Sequence, residues 1–449
     1  MSKPVRQLIT DFLDLAIHDV RSLDAALRES LAPFTSDEVN IALRQAFSQA
    51  NLRRDCPRRS LAVGVLSRLM AEQALSRGEL SRACTHFGLA IRELGSALEP
   101  PDRSQLLLDL AWVYHCLGDY ATSLDWCTEA QRALQREPEN AQGALAHSMR
   151  GINFYRMGKL EDALWEHSEA LSQRIGLKDR GGEASSLNNL GNVYLERGEW
   201  EEAERCYRQS LAIYCELKRP DREAALENNL GNLASYRGDF VTAEDHHARA
   251  LALRCQLGDR FSSGASRCAL ANAWLRAGRI AEAIEGFRRG LRLLEVSGAV
   301  ELKAEGLVGL AQALLVSGDL KEARHQLALG IEEARRTRNT LQLGASHVLL
   351  SSMERLEGDA ERAARALKTA FKYLTACGSR FGLAKAHLEE AHVAALRRDR
   401  EQARQSLTFA RETFEELGAR PELVEAQALE ARLSPKGART DEHLAGGGR

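Results

Sequence analysis

The chain lacks a surplus of either charge, with 61 Lys and Arg against 63 Asp and Glu in 449 residues. Nucleic acid and anionic membrane surfaces both call for a basic excess, so neither is expected as a partner. Long apolar runs are also missing. The longest, around residues 306–316, is interrupted by Gln312 and falls well short of the roughly 18 residues that a membrane-crossing helix needs. Near the N-terminus, Asp11 and Asp14 interrupt what would be the apolar part of a signal peptide, so a cytoplasmic protein is expected. Cys occurs nine times, an odd number with no C-x-x-C pair. That pattern fits reduced, packed thiols and argues against a disulfide framework.

Signatures of catalysis are absent as well. The Gly-rich phosphate loop, the dinucleotide fingerprint, the paired-His motif of zinc proteases and the hydrolase nucleophile elbow do not occur, so neither an enzyme activity nor a cofactor is expected. His387 and His392 stand five residues apart, about 140° around a helix and unsuited to joint ligation of a metal.

What the sequence does have is a period. Gly stands at 78, 118, 158, 198, 238, 278, 318 and 358, forty residues apart each time, and Arg398 takes the ninth slot. Seven residues before each of these come Ala71, Ala111, Gly151, Gly191, Gly231, Ala271, Ala311, Ser351 and Ala391, all small. A second small column runs from Ala83 to Ala403 and a third from Ala90 to Ala410, with larger apolar residues such as Leu190, Leu230, Trp200 and Phe240 between them.

Apolar residues recur at three- and four-residue spacing on both sides of a Gly able to take the left-handed conformation, which predicts two antiparallel helices per repeat. First helices are expected near 102–117, 140–157, 182–197, 221–237, 260–277, 300–317, 340–357 and 380–397, each followed by a second helix of about 18 residues. Pro100, Pro101, Pro138, Pro220 and Pro421 all fall between repeats, where they break no helix. A closing helix is expected at 422–433, with Ala426 and Leu429 inward. Nine residues after the turn, His167, Tyr207 and His247 share a column with Phe87, Phe287, Leu327 and Leu367. These histidines therefore read as packing residues rather than metal ligands.

The stretch SLNNLGNVYLERGEWEEAERCYRQSLAIY from Ser186 to Tyr214, repeated as ENNLGNLASYRGDFVTAEDHHARALAL from Glu227 to Leu253, resembles the tetratricopeptide repeat family in its forty-residue variety. The resemblance covers about residues 57–433 and implies an all-α fold. It would be a right-handed α-solenoid of about nine helix-turn-helix units, with the first helices lining a concave groove. Residues 1–56 suggest three amphipathic helices around Leu8, Leu23 and Leu43, read either as an N-terminal helical cap or partial repeat, or as a separate partner-binding bundle. Thr35 to Glu38 resembles a capping box. The tail 434–449 is polar and Gly-rich and is expected to be disordered.

One polar feature stands above background. Asn188, Asn189, Asn192, Asn228, Asn229, Asn232 and Asn272 lie on three successive first helices, although Asn costs up to roughly 0.7 kcal/mol against Ala inside a helix. An amide offers donors and an acceptor, so a ladder of them can grip a peptide backbone. Packing and helix-to-helix hydrogen bonds are the other reading. The family resemblance implies that Asn189, Asn192, Asn229, Asn232 and Asn272 line the groove, joined by Tyr155, Arg156, Glu196, Tyr236 and Arg276. The carboxylate clamp for chaperone tails needs basic residues where this chain has Asn188, Ala265 and Ala269, so that ligand is not expected. Leu307, Val308, Leu315 and Val316 make the 300–350 region more apolar, suited to an amphipathic partner helix. The expectation is a protein or peptide interaction scaffold. The alternative is a bacterial signalling regulator whose superhelix switches the N-terminal helices when ligand binds.

Overall fold

The computed structural model describes Arg21, Asp24, Ala25, Arg28 and residues 36–52, 59–95, 97–134, 140–297 and 300–433. The expectations for the tail 434–449, for the helices around Leu8 and Leu23 and for the cap at Thr35 lie outside these residues. Among the described residues there are twenty helices of 14 to 18 residues and no strand. They are α1 (Ser36–Leu52), α2 (Arg59–Ser76), α3 (Leu80–Leu94), α4 (Pro100–Cys116), α5 (Tyr120–Ala133), α6 (Ala141–Arg156), α7 (Leu160–Gly176), α8 (Arg180–Arg197), α9 (Trp200–Glu216) and α10 (Pro220–Arg237). There follow α11 (Phe240–Gln256), α12 (Arg260–Arg276), α13 (Ile280–Ser297), α14 (Val300–Ser317), α15 (Leu320–Arg336), α16 (Thr340–Leu356), α17 (Ala360–Ala376), α18 (Arg380–Leu396), α19 (Arg400–Leu417) and α20 (Arg420–Leu433). From α2 on, even numbers are first helices and odd numbers second helices, with α20 closing the series. The chain divides into two compact units, one ending at Asn153 and taking in Ser172–Leu177, the other made of Phe154–Leu171 and the chain from Lys178 on.

The turns follow from the glycine column. Gly78, Gly118, Gly158, Gly198, Gly238, Gly278, Gly318 and Gly358 all have φ between 72° and 90°, the left-handed region that a side chain disfavours. At Gly198 the chain reverses with its own N–H on the Leu195 carbonyl (3.1 Å) and the Glu199 N–H on that of Tyr194 (2.9 Å). The residue after the turn then caps the second helix: Asp239 accepts from the Thr242 N–H at 3.1 Å, as Asp319 does from Glu322 and Asp359 from Arg362. Arg398 holds the same conformation without being glycine, at φ 62°. A second left-handed column, offset by twenty residues, ends the second helices at Lys178, Lys218, Gly258, Arg338, Gly378 and Gly418.

Packing within a hairpin depends on a small residue facing a large one. Tyr207 is fully buried on α9 against Gly191 of α8, where an added Cβ would come within 2.5 Å of its ring. His247 on α11 meets Gly231 of α10 in the same way, at 2.7 Å. The whole column nine residues after the turn is buried, including Phe87, Cys127, His167, Phe287, Leu327, Leu367 and Leu407. In unit 1, α1 packs on α2 with Leu43 and Ala50 buried and Phe47 against the same cluster, the three columns of a second helix. Leu307 and Val308 are core residues and Leu315 packs against them, so the apolar surface expected there reduces to Val316, which is 59% exposed.

Unit 2 closes on itself. Helix α8 touches α18, and α10 touches α20. The turn glycines of the early hairpins seat against the late ones: Gly158 against the Ala376 and Cys377 backbone, Gly198 against Leu417, Gly238 against Pro421. Arg276 of α12 pairs with Glu422 of α20 at 2.7 Å, with the two side chains 14% and 8% exposed. Ala426 and Leu429 of α20 are buried in a cluster that also holds Trp200 and Leu233. Proline agrees with this layout, since Pro100, Pro220 and Pro421 occupy first turns of helices.

Two outcomes follow for stability. Arg398→Gly relieves a left-handed side chain and is expected to raise the unfolding free energy by about 1 kcal/mol, measured by urea denaturation. Burial pushes the His247 imidazole down to about 4, with His246 and Arg254 adding to it. The unfolded chain takes up that proton near its ordinary value while the folded state resists it, so stability falls as pH drops through the window between them. The loss amounts to roughly 3 kcal/mol at most. His247→Phe, the residue type of Phe87 and Phe287, should flatten stability between neutral and mildly acidic pH; an unchanged acid limb would contradict the assignment.

Candidate functional site

The first helices of unit 2 converge on a chamber of about 320 Å³. Its walls come from α8 (Leu195, Glu196), α10 (Tyr236), α12 (Asn272, Arg276), α14 (Glu305, Val308, Gln312), α16 (Gln342, Ala345) and α18 (Phe381, Lys385). A second cavity of about 260 Å³ shares Arg276, Val308, Gln312, Ala345 and Lys385 and extends to Ser352, Glu389, His392, Glu422 and Glu425. The forty-residue register explains the convergence, because residues at one register position on successive first helices face the same way. Cys268, Val308, Val348 and Leu388 form one such column, Asn272, Gln312, Ser352 and His392 another, and Glu305, Ala345 and Lys385 a third.

One wall is aromatic. Trp200, Tyr236 and Phe381 form a triangle with ring centroids 5.9, 5.0 and 6.0 Å apart, joining the early hairpins to the late ones. The Arg276 guanidinium lies 5.8 Å from the Tyr236 ring and the Lys385 ammonium 5.8 Å from that of Phe381. Trp200 Nε1 is buried without a hydrogen-bond partner.

The charges here are poorly solvated. The Glu305 side chain is exposed to the solvent of the chamber, and the partial desolvation there raises its carboxyl above the usual range. Burial likewise raises Glu196, against a hydrogen bond from Ser379 that pulls it down. The Lys385 ammonium is lowered by burial, with Glu422 opposing. Burial also keeps the phenols of Tyr155 and Tyr236 neutral and lifts the Cys268 thiol to about 12 and that of Cys377 to about 11, so neither thiol is a nucleophile at neutral pH. Arg276 is tied to Glu422, and Arg355 holds Glu389 at 2.8 and 3.2 Å. Among the described residues, Glu305, Lys385, Asn272 and Gln312 make no hydrogen bond or ion pair through their side chains. Among the described residues, no group of three His, Cys, Asp or Glu is placed to hold a metal ion, and no helix is long and apolar enough to cross a membrane.

The side chains singled out by the sequence separate into two sets. Asn272, Glu196, Tyr236 and Arg276 line the chamber. Asn188, Asn192, Asn228 and Asn229 are bound within the protein. Asn229 Nδ2 donates to Asn188 Oδ1 at 2.9 Å, Tyr207 donates to Asn192 Oδ1 at 2.8 Å, and Asn228 joins Ser266 (3.0 Å) and His247 (3.2 Å). Asn189 and Asn232 are half-buried and lie outside this lining, as does Arg156; Tyr155 is near enough to Glu196 and Tyr236 to feel their charge. The sequence reading missed Glu305, Gln312, Phe381 and Lys385. Three of them were within reach of the ruler, since Asn272 plus forty is Gln312, and Ala265 advanced by forty and by three times forty reaches Glu305 and Lys385.

Comparison with known proteins fits this architecture. Three models of the tetratricopeptide repeat match the chain, one at 144–216, one at 228–257, and one at 104–127, 264–285 and 304–328. No curated protein matches it. Among solved structures, a Rap protein complexed with competence and sporulation factor is similar with a TM-score of 0.58 and 15% identity, covering 81% of this chain and 99% of that one. Aspartyl phosphate phosphatase F from Bacillus subtilis gives 0.53 at 16% identity, covering 76% and 96%. The apo form of RapI gives 0.52 at 15%, covering 61% and 98%. At such identities the likeness concerns the fold alone. The helical hairpins on the forty-residue ruler that these models match, between residues 104 and 328, are tetratricopeptide repeats.

Proposed function

We propose that the chain is a protein-interaction scaffold whose second unit holds a short segment of a partner polypeptide in the chamber. The observation that carries this reading is the set of polar side chains lining it that make no hydrogen bond or ion pair among the described residues: Asn272, Gln312, Glu305 and Lys385. Groups that face a cavity without an internal partner keep their donors and acceptors for a guest. Amides suit a peptide main chain, because they donate and accept at once and need no particular side chain on the guest. The volume falls in the class of sites for small ligands or a few residues of chain.

In this reading Asn272, Glu196, Tyr236 and Arg276 contact the guest. Asn188, Asn192, Asn228 and Asn229 act from behind, fixing the spacing of α8, α10 and α12 through hydrogen bonds to one another and to Tyr207, Ser266 and His247. Asn189, Asn232, Tyr155 and Arg156 belong to the approach to the chamber. The reading assigns binding, and no reaction, to the site.

Selection of a random peptide library on the full chain, followed by fluorescence anisotropy with the recovered peptides, tests the proposal. Asn272→Ala and Lys385→Met are each expected to weaken binding about tenfold, the cost of one or two polar contacts. Arg205→Ala, on an exposed residue paired only with Glu202, should leave it unchanged. Peptides that bind both chamber variants as well as the wild type would place the interaction elsewhere.

A further inference from the structure

Unit 1 has a pocket of its own, unrelated to the chamber. Between α1, α2 and α3 lies a cavity of about 190 Å³ walled by Asn40, Arg44, Arg77, Arg82 and His86, with Glu79 at its edge. Three guanidinium groups face one carboxylate. Arg82 pairs with Glu79 at 2.5 Å, and the carboxyl of Glu79 is held below its usual range first by that bond and further by Arg77 and Arg44, which line the same pocket.

Two groups in the pocket lack partners. Among the described residues Arg44 makes no ion pair or hydrogen bond, whereas Arg28, Arg68, Arg82 and Arg92 of the same unit are each matched by a carboxylate. His86 Nδ1 is buried without a hydrogen-bond partner. Its imidazole is kept neutral by burial and then by Arg44 and Arg82, so it can present an N–H to an acceptor without adding to the repulsion among the cations.

We infer that this pocket binds a compact oxyanion of the phosphate class, with Arg44 as its principal ligand and His86 Nδ1 as a neutral donor. A planar, permanently charged guanidinium matches two oxygens of such an anion. The surplus of Arg over Glu supplies the field that draws it in, and the cavity is too small for a nucleotide. The anion is either free or carried on a phosphorylated side chain of a partner, two sources with one chemistry.

Isothermal titration of the full chain with inorganic phosphate, at fixed ionic strength in chloride, tests the inference. One saturable site is expected, weakened about tenfold or more by Arg44→Gln, the loss of one charge-assisted contact. Arg28→Gln, which removes a paired arginine from the same unit, should leave it intact, with circular dichroism confirming that both variants fold. A titration with a phosphoserine peptide separates the sources: tighter binding than inorganic phosphate assigns the anion to a partner side chain, and equal binding to the free ion. Absence of a saturable site, or equal binding by wild type and Arg44→Gln, overturns the inference.

Discussion

The structure depends on a small residue facing a large one across each helical hairpin. Where Gly191 meets Tyr207 and Gly231 meets His247, there is no room for even a methyl group on the first helix. Two helices that touch through such a step can approach in only one way, because a dense interior tolerates neither the void nor the overlap that a different crossing would leave. Repetition of the step every forty residues carries one local geometry along the chain. Within each unit a hairpin inherits its placement from the one before, and residues at one register position come to face the same side.

In unit 2 the series returns to itself. Turn glycines at 158, 198 and 238 leave space for Ala376, Leu417 and Pro421, side chains and backbone some two hundred residues further on. The seam combines dispersion and charge: the Trp200, Tyr236 and Phe381 rings form its apolar part, and Arg276 with Glu422 its ionic part. A buried ion pair of this kind adds little net stability, since desolvation offsets attraction, yet it is costly to break by removing one partner. Its contribution is to fix which late helix meets which early one. Closure also turns what would be an open groove into a chamber, and so sets the size of anything that can bind there.

Much of this was legible in the sequence because the period is a backbone requirement. Left-handed turns need Gly and tight crossings need small side chains, so Gly78 to Gly358 and Ala71 to Ala391 wrote the helix boundaries to within two residues. The second left-handed column was not legible, because Lys178, Lys218 and Arg338 fill it as well as Gly258 and Gly378 do and leave no common letter. The seam was also hidden. Its contacts link residues 146 apart, as in Arg276 and Glu422, and a ruler of forty says nothing of where a series of hairpins meets itself. The asparagines drew attention as a cluster, but a composition signal cannot separate an amide facing a cavity from one bonded to its neighbour. Asn272 is of the first kind and Asn228 and Asn229 are of the second. Lys385 and Glu305 were passed over because their column has no common letter: it also holds Gln105, Leu145, Ser185, Ala225, Ala265 and Ala345.

The central claim is that unit 2 is closed, with α12 in contact with α20. A double-mutant cycle on Arg276→Ala and Glu422→Ala, read by urea denaturation, measures that contact directly. A coupling energy of about 1 kcal/mol or more is expected, as found between side chains that touch. Additive effects of the two substitutions would mean that the seam does not form in solution.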